Sequence, residues 1–217
     1  QVSAKVLDQI CVTLRLTASE RDYLYSLAQR RPAPPLATDK IEVSDALQRL
    51  IDAVEFPALV MTERWDVVAS NIVNDTVFLD YTHRPADQRN MLKIILENTE
   101  YQQTPESYEA NVANIVSKFR VNYSQSANVE SFEELINELL ATSEVFRRHW
   151  DAPDYEFEPA SIDETNATHN PEFAGMRFEL STYIPEGSPL LRVIFCVPLD
   201  ADAAERFRDI ARDHRMK

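Results

Sequence analysis

Glycine is almost absent from this sequence of 217 residues, which contains only Gly175 and Gly187. A glycine-rich loop lets backbone amides approach a phosphate closely, so nucleotide cradles of the P-loop and Rossmann types are excluded. Cysteine is equally scarce. Cys11 lies in a helical pattern and Cys196 in a strand pattern, both in apolar surroundings. We therefore expect buried free thiols rather than a disulfide or a nucleophile.

Signatures of metal binding and catalysis are also missing. The four histidines, His83, His149, His169 and His214, include no pair at metal-ligand spacing, and no Cys-x-x-Cys motif accompanies them. No nucleophile-elbow motif occurs, and the two glutamates at 133–134 fall on the polar face of a predicted helix, where solvation accounts for them. The sequence therefore predicts no metal, no cofactor and no catalytic residue, in a protein that is not an enzyme.

Long hydrophobic runs are missing as well, and positive charge is in short supply. No apolar run approaches the roughly 18 to 20 residues that cross a bilayer, and the opening residues lack the apolar stretch of a signal peptide, so we expect a cytoplasmic protein without membrane contact. The net charge of -14 repels phosphate backbones, so these residues alone are not expected to bind nucleic acid. The start at Gln1, inside an amphipathic pattern, favours a chain that begins within a larger protein.

The first thirty residues have the pattern of two short helices. Apolar residues from Val2 to Leu14 repeat at helical spacing, and residues 17–20 have the form of a capping box that opens a second helix. The run at 30–35 contains three prolines, which cannot continue a helix. We therefore predict a unit of two short helices over residues 1–31, a proline-rich linker over 32–43 and a second domain over 44–217.

The second domain starts with a helix and a hairpin. Ser44 is a predicted helix cap, and the apolar stretches at 58–61 and 65–69 form a predicted β-hairpin. Asn71, directly after the hairpin, is predicted to cap the next helix rather than to contact a ligand.

A long helical layer is predicted to follow over residues 89–150. Thr104 and Pro105 have the form of a cap and a first-turn proline, and residues 131–134 offer another capping box. A weaker strand is expected within residues 155–162.

The end of the chain returns to strand patterns. Residues 176–184 alternate between apolar and polar side chains, and residues 190–197 are apolar on both faces, which predicts a central strand. A final helix is expected over residues 201–214, directly after Asp200. The fold class is α+β, in which an antiparallel sheet joins strands that are distant in sequence and helices pack over one face.

The end of the helical layer combines aromatic and cationic side chains in Phe146-Arg147-Arg148-His149-Trp150. On periodicity alone, Phe146 and Trp150 are core residues, and the two arginines are surface partners for the surplus acids. In the other interpretation, an arginine here meets the polar end of a ligand. These residues alone leave both interpretations open.

Several stretches, taken in order, resemble the MmyB-like group of helix-turn-helix transcription regulators, in which a PAS-like ligand-binding domain follows a DNA-binding domain. The most specific, in combination, are Trp65-Asp66-Val67-Val68-Ala69-Ser70-Asn71 and the stretch from Phe146 to Trp150. The similarity covers nearly the whole chain, through residues 6–10, 14–24, 44–50, 57–61, 64–71, 89–92, 146–150 and 178–180. Residues 155–171 depart from the pattern.

The resemblance implies a PAS-like sensor behind the last helices of a DNA-binding domain, whose recognition helix lies before residue 1. It implies a small apolar, fatty-acid-like ligand between the sheet and the helices, which modulates DNA binding. A homodimer is expected because helix-turn-helix proteins commonly read two half-sites. Arg89 and Arg147 are the candidates for the polar end of the ligand, and the candidates for its apolar lining are Val60, Trp65, Val67, Leu92, Ile95, Ile115, Phe119, Leu139, Phe146, Phe178, Leu180 and Phe195.

Two other classes of protein remain as alternatives. A PAS-like dimerisation module without a ligand would have a filled core. An enzyme acting on an apolar substrate would have a group of polar side chains near a cavity and a titratable group whose pKa is shifted by burial.

Overall fold

The computed structural model describes residues 4–17, 20–21, 24–25, 41–81, 83–97, 105–126, 129–151, 162–164, 173 and 175–215. The chain forms two compact units, Gln1–Lys40 with Ala127–Val129, and Ile41–Ser126 with Glu130–Lys217. The predicted linker falls outside the described residues up to residue 40.

The first unit contains helix α1 (Ala4–Leu14). Leu7 and Cys11, one turn apart on α1, are buried together with Tyr25. The predicted capping box is confirmed, because the Thr17 amide donates to the Glu20 carboxylate and the Glu20 amide donates to the Thr17 hydroxyl. Both cysteines of the chain are buried and neither forms a disulfide, as predicted.

A five-stranded antiparallel sheet is the centre of the second unit. Its strands are β1 (Ala58–Thr62), β2 (Val67–Ser70), β3 (Ile162–Glu164), β4 (Arg177–Tyr183) and β5 (Leu191–Pro198). Their order is β2-β1-β5-β4-β3, so the early hairpin is joined to the late strands through the β1–β5 pair, as predicted. The central position predicted for the last strand is confirmed.

Eight helices of the described residues are labelled α1 to α8. Those of the second unit are α2 (Asp45–Ala53), α3 (Ile72–Val77), α4 (Met91–Glu97), α5 (Pro105–Gln125), α6 (Val129–Thr142), α7 (Glu144–Trp150) and α8 (Ala201–Arg215). A single 3-10 turn (Ala86–Gln88) precedes α4.

The predicted helical layer corresponds to α4, α5, α6 and α7, which we call the helical layer. Helix α5 begins at Pro105, in keeping with a first-turn proline, whereas Thr104 lies outside the described residues. The capping box predicted at 131–134 is wrong, because α6 already begins at Val129 and Ser131 is inside it. The predicted caps Ser44 and Asn71 are confirmed, since their side chains accept the amides of Leu47 and Asn74.

Both faces of the sheet carry apolar side chains. Leu59 and Met61 of β1 pack with the helical layer, whereas Ala58 and Val60 pack with α2. We call these the layer face and the α2 face. The prediction that helices pack over one face is therefore wrong, because α2 covers part of the opposite face.

A β-bulge in the hairpin explains how the short strand β2 contributes buried side chains to both faces of the sheet. Val60 lies opposite Ala69 while Met61 lies opposite Val67, so Val68 is an extra residue in β2. The bulge turns Val67 to the layer face and Ala69 to the α2 face, although strict alternation would place them together.

A third apolar cluster joins helices α3 and α8. Val73 and Val77 of α3 pack with Ala203, Phe207 and Ala211 of α8. The strand expected within 155–162 lies outside the described residues except for Ile162, at which β3 begins.

Candidate functional site

The largest apolar cluster among the described residues lies between the layer face and the helical layer. Its buried members come from β1, β2, the hairpin turn, the segment between α3 and the 3-10 turn, and all four helices of the layer. They are Leu59, Met61, Trp65, Val67, Tyr81, Leu92, Leu96, Tyr108, Val112, Val116, Phe119, Phe132, Leu135, Ile136, Leu139 and Phe146. We call this set the layer cluster.

Aromatic rings form the middle of the layer cluster. Trp65 and Phe119 meet edge to face, with ring centroids 5.6 Å apart and planes at 83°. Phe119 also lies 5.4 Å from Phe132, and Phe146 stacks on Trp150 at 5.3 Å. Such rings present broad apolar surfaces, which favour an apolar ligand or a packed core equally.

The hairpin turn that carries Trp65 is held by two helices of the layer. Arg64 forms an ion pair with Asp66, with Nε 2.7 Å from Oδ2, and donates to the carbonyl of Ser131 in α6. Asn90 donates to the carbonyl of Arg64 and to the carboxylate of Asp66, at 2.9 and 3.0 Å. A movement of the turn would therefore be transmitted to α4 and α6.

Asn90 is a residue whose role the sequence analysis did not identify. It is buried, and its side-chain oxygen accepts the amides of Leu92 and Lys93, which caps α4. An Asn directly before an apolar helical run is the sequence signal for such a cap. Its simultaneous bonds to the hairpin turn have no signal in the sequence.

Trp65 combines two unusual features. It has a φ of 70°, in the left-handed region that bulky residues rarely adopt. Its side chain is buried, yet Nε1 has no hydrogen-bond partner among the residues that the structure describes. Among the described residues, the other buried side-chain atoms without a partner are Nδ2 and Oδ1 of Asn74 and Oδ1 of Asn114. Of these three residues, Trp65 alone belongs to the layer cluster.

Half of the predicted ligand-binding residues come together in or against the layer cluster. Six are buried members and Ile115 packs against them. The seven residues are Trp65, Val67, Leu92, Ile115, Phe119, Leu139 and Phe146.

The remaining apolar candidates lie elsewhere. Val60 and Phe195 pack on the α2 face. Phe178 meets the ring of Phe78, with centroids 5.6 Å apart. Ile95 is buried on α4 and Leu180 is half-buried on β4. The structure thus does not bring these five residues into the layer cluster.

The two arginines predicted for the polar end of a ligand donate to backbone carbonyls. Arg147 is exposed, and its Nε and Nη2 both donate to the carbonyl of Leu140, at 2.9 and 2.7 Å. Arg89 donates from Nε to the carbonyl of Arg84 at 2.6 Å. Both arginines therefore hold ends of helices or turns in this structure.

Two carboxylates of the second unit have shifted pKa values. Burial raises the pKa of Asp75, against the lowering effect of a hydrogen bond from Ser70. Hydrogen bonding to His149 lowers the pKa of Glu109, as does the charge of Arg148. These contacts join α5 to α7, with His149 Nε2 2.7 Å and Arg148 Nη1 2.6 Å from the carboxylate oxygens of Glu109.

The described residues contain neither a cluster suited to a metal ion nor a helix suited to span a membrane. In the part of the chain that the structure describes, no three side chains of His, Cys, Asp or Glu are grouped to hold a metal ion. Among the helices of the same residues, none is long and apolar enough to cross a bilayer.

Most of the second unit matches a family of known proteins. Residues 43–210 match the family described as MmyB-like transcription regulator ligand binding domain. The matched range includes the whole sheet and the helical layer. No curated protein matches the chain.

Proposed function

The chain belongs to the family of MmyB-like transcription regulator ligand-binding domains, and from this premise we propose that it senses a small apolar, fatty-acid-like effector. The effector lies between the sheet and the helical layer and modulates DNA binding by an N-terminal helix-turn-helix domain, in a homodimeric regulator. No residue is assigned a catalytic role, because the family is one of ligand-binding domains.

The layer cluster is the observation that carries this proposal. It is apolar, it is built mainly from the sheet and four helices, and half of the residues predicted to bind the ligand lie in it or pack against it. Burial of a methylene group contributes about 0.8 kcal/mol, so a ten-carbon chain gains several kcal/mol even after ordering costs are subtracted. Because the side chains of the cluster pack against one another, the effector has to displace some of them.

That displacement supplies a mechanism of regulation. An effector shifts a conformational equilibrium only if it binds two arrangements with unequal affinity. The first arrangement has the layer cluster packed on itself, and the second has the helices moved away from the sheet to admit the ligand. The bonds of Arg64 and Asn90 connect the hairpin turn to α6 and α4, so the turn moves with the helices.

The test is extraction of the purified protein under denaturing conditions, followed by mass spectrometry of the released small molecules. The proposal expects an apolar compound near one equivalent per chain, which exchanges with added isotope-labelled decanoic acid. An empty extract, together with no binding of added decanoic acid or methyl decanoate, contradicts it. A dimer in sedimentation experiments would then favour the dimerisation module.

A further inference from the structure

We propose that Trp65 donates its indole N–H to an uncharged oxygen of the effector, so that the effector is a lipid-like molecule with a neutral acceptor such as an ester carbonyl or a hydroxyl. This inference rests on the proposed function, because it names the polar contact and the chemical class of the same ligand.

The first argument is the unused donor. Trp65 is 7% exposed, and its Nε1 has no hydrogen-bond partner among the described residues. Buried donors are nearly always paired in native proteins, because an unpaired donor has lost its water without compensation. A ligand oxygen in the layer cluster would supply the missing acceptor.

The second argument is the backbone conformation of Trp65, which fixes the position of its side chain. A bulky residue in the left-handed region is strained, and such strain persists only where the surroundings enforce it. Here the Trp65 amide donates to the carbonyl of Thr62 at 2.9 Å, and the Trp65 carbonyl accepts the amide of Met91 at 2.8 Å. The hairpin turn and the start of α4 thus hold Trp65 in its place inside the cluster.

The third argument concerns the charge of the acceptor. The indole lies against the ring of Phe119, in the same cluster as Val112, Val116 and Leu135. A carboxylate in such surroundings needs a cation or several donors to replace its hydration, whereas a neutral oxygen needs only one. Arg64, beside Trp65 in sequence, directs its guanidinium to Asp66 and to a carbonyl of α6. The single uncharged N–H of Trp65 therefore fits a single uncharged oxygen of the effector.

The test follows the indole N–H by nuclear magnetic resonance in the full chain labelled with 15N. The chain has two tryptophans, Trp65 and Trp150, and the substitution Trp150→Phe identifies the Trp65 signal by elimination. The probes are methyl decanoate, 1-decene and decanoate at pH 8. We expect methyl decanoate to move the Trp65 N–H proton downfield and 1-decene to bind without that downfield movement.

Calorimetric titration of the Trp65→Phe variant adds an independent readout, because phenylalanine keeps an aromatic ring and removes the donor. Loss of one neutral hydrogen bond is expected to weaken methyl decanoate about fivefold and to leave 1-decene within about twofold.

Three outcomes overturn the inference. In the first, methyl decanoate binds but leaves the Trp65 signal in place, which would mean that the N–H is directed at the ring of Phe119. In the second, decanoate at pH 8 binds more tightly than its methyl ester, so the site accepts a charge. In the third, none of the probes binds, and then the proposed function fails as well; the first two outcomes leave that function intact.

Discussion

Two buried side chains on opposite faces of the sheet, Asn71 and Trp65, differ in how completely their polar atoms are paired. On the α2 face, the side chain of Asn71 accepts the amides of Ala58 and Asn74 and donates to the carbonyls of Ile51 and Phe56. On the layer face, the indole N–H of Trp65 has no partner among the described residues. Complete pairing fixes one arrangement, whereas an unpaired donor leaves a place for a ligand. Under the proposed function, the α2 face is structural and the layer face binds the effector.

The largest expected effect is that of Asn71→Ala on stability. The substitution removes four hydrogen bonds and takes the side-chain acceptor from the buried backbone amides of Ala58 and Asn74, which is expected to lower the free energy of unfolding by about 3–5 kcal/mol. Urea denaturation followed by circular dichroism measures it.

Asn74→Ala is the matched control, because Asn74 is equally buried and its side-chain amide has no hydrogen-bond partner among the described residues. Its effect is expected to stay within about 1 kcal/mol, since the lost packing is offset by removal of an unpaired amide. Equal losses at the two positions would contradict the role given to pairing at Asn71.

A smaller loss is expected for Arg64→Ala. The substitution removes the ion pair with Asp66 and the bond to the carbonyl of Ser131, both half-exposed, so about 1–2 kcal/mol should be lost in urea denaturation. If the turn connects the effector to the helices, the variant should also bind methyl decanoate with a changed enthalpy. An unchanged binding enthalpy would mean that the hairpin turn does not connect the effector to the helices.

The effect of Trp65→Phe on stability should be smaller still. The ring is retained and an unpaired donor is removed, so stability is expected to remain within about 1 kcal/mol of the parent protein, whereas Trp65→Ala should lose about 3–5 kcal/mol. Thermal unfolding of both variants measures the difference. A loss of several kcal/mol in Trp65→Phe would mean that the indole N–H has a structural partner.

The smallest expected effect is that of Glu109→Gln. Because His149 and Arg148 lower the pKa of Glu109 in the folded state, its carboxylate stabilises the fold above its ordinary pKa, and this contribution is lost as the pH falls through the lowered value. The partners are partly exposed, so the loss at pH 7 should be under about 1 kcal/mol. The difference between parent and variant should shrink below about pH 4.5; a difference that grows there would contradict the assignment.

Local rules predicted much of the fold. Ser44 and Asn71 were identified as caps because a small polar residue directly precedes a helical pattern, and the central strand was identified because both of its faces are apolar. The same kind of rule failed at residues 131–134, where a capping-box pattern occurs inside a helix that starts at Val129.

The site was less predictable because it depends on register. The bulge at Val68 decides which side chains of the hairpin meet the helical layer, and no residue type in the sequence predicts this bulge. Val60 was therefore grouped with Trp65 and Val67, although it packs on the other face. The left-handed φ of Trp65 and its unpaired N–H are likewise visible only once α4 and α6 are in place.

The most direct test of a sensing face and a structural face is hydrogen–deuterium exchange of the full chain with and without a saturating probe. The probe is whichever of methyl decanoate and decanoic acid binds more tightly. The account predicts changed exchange in α5 and α6 of the helical layer and unchanged exchange in α2. Changes confined to α2, or none in the layer while the probe is bound, would contradict it.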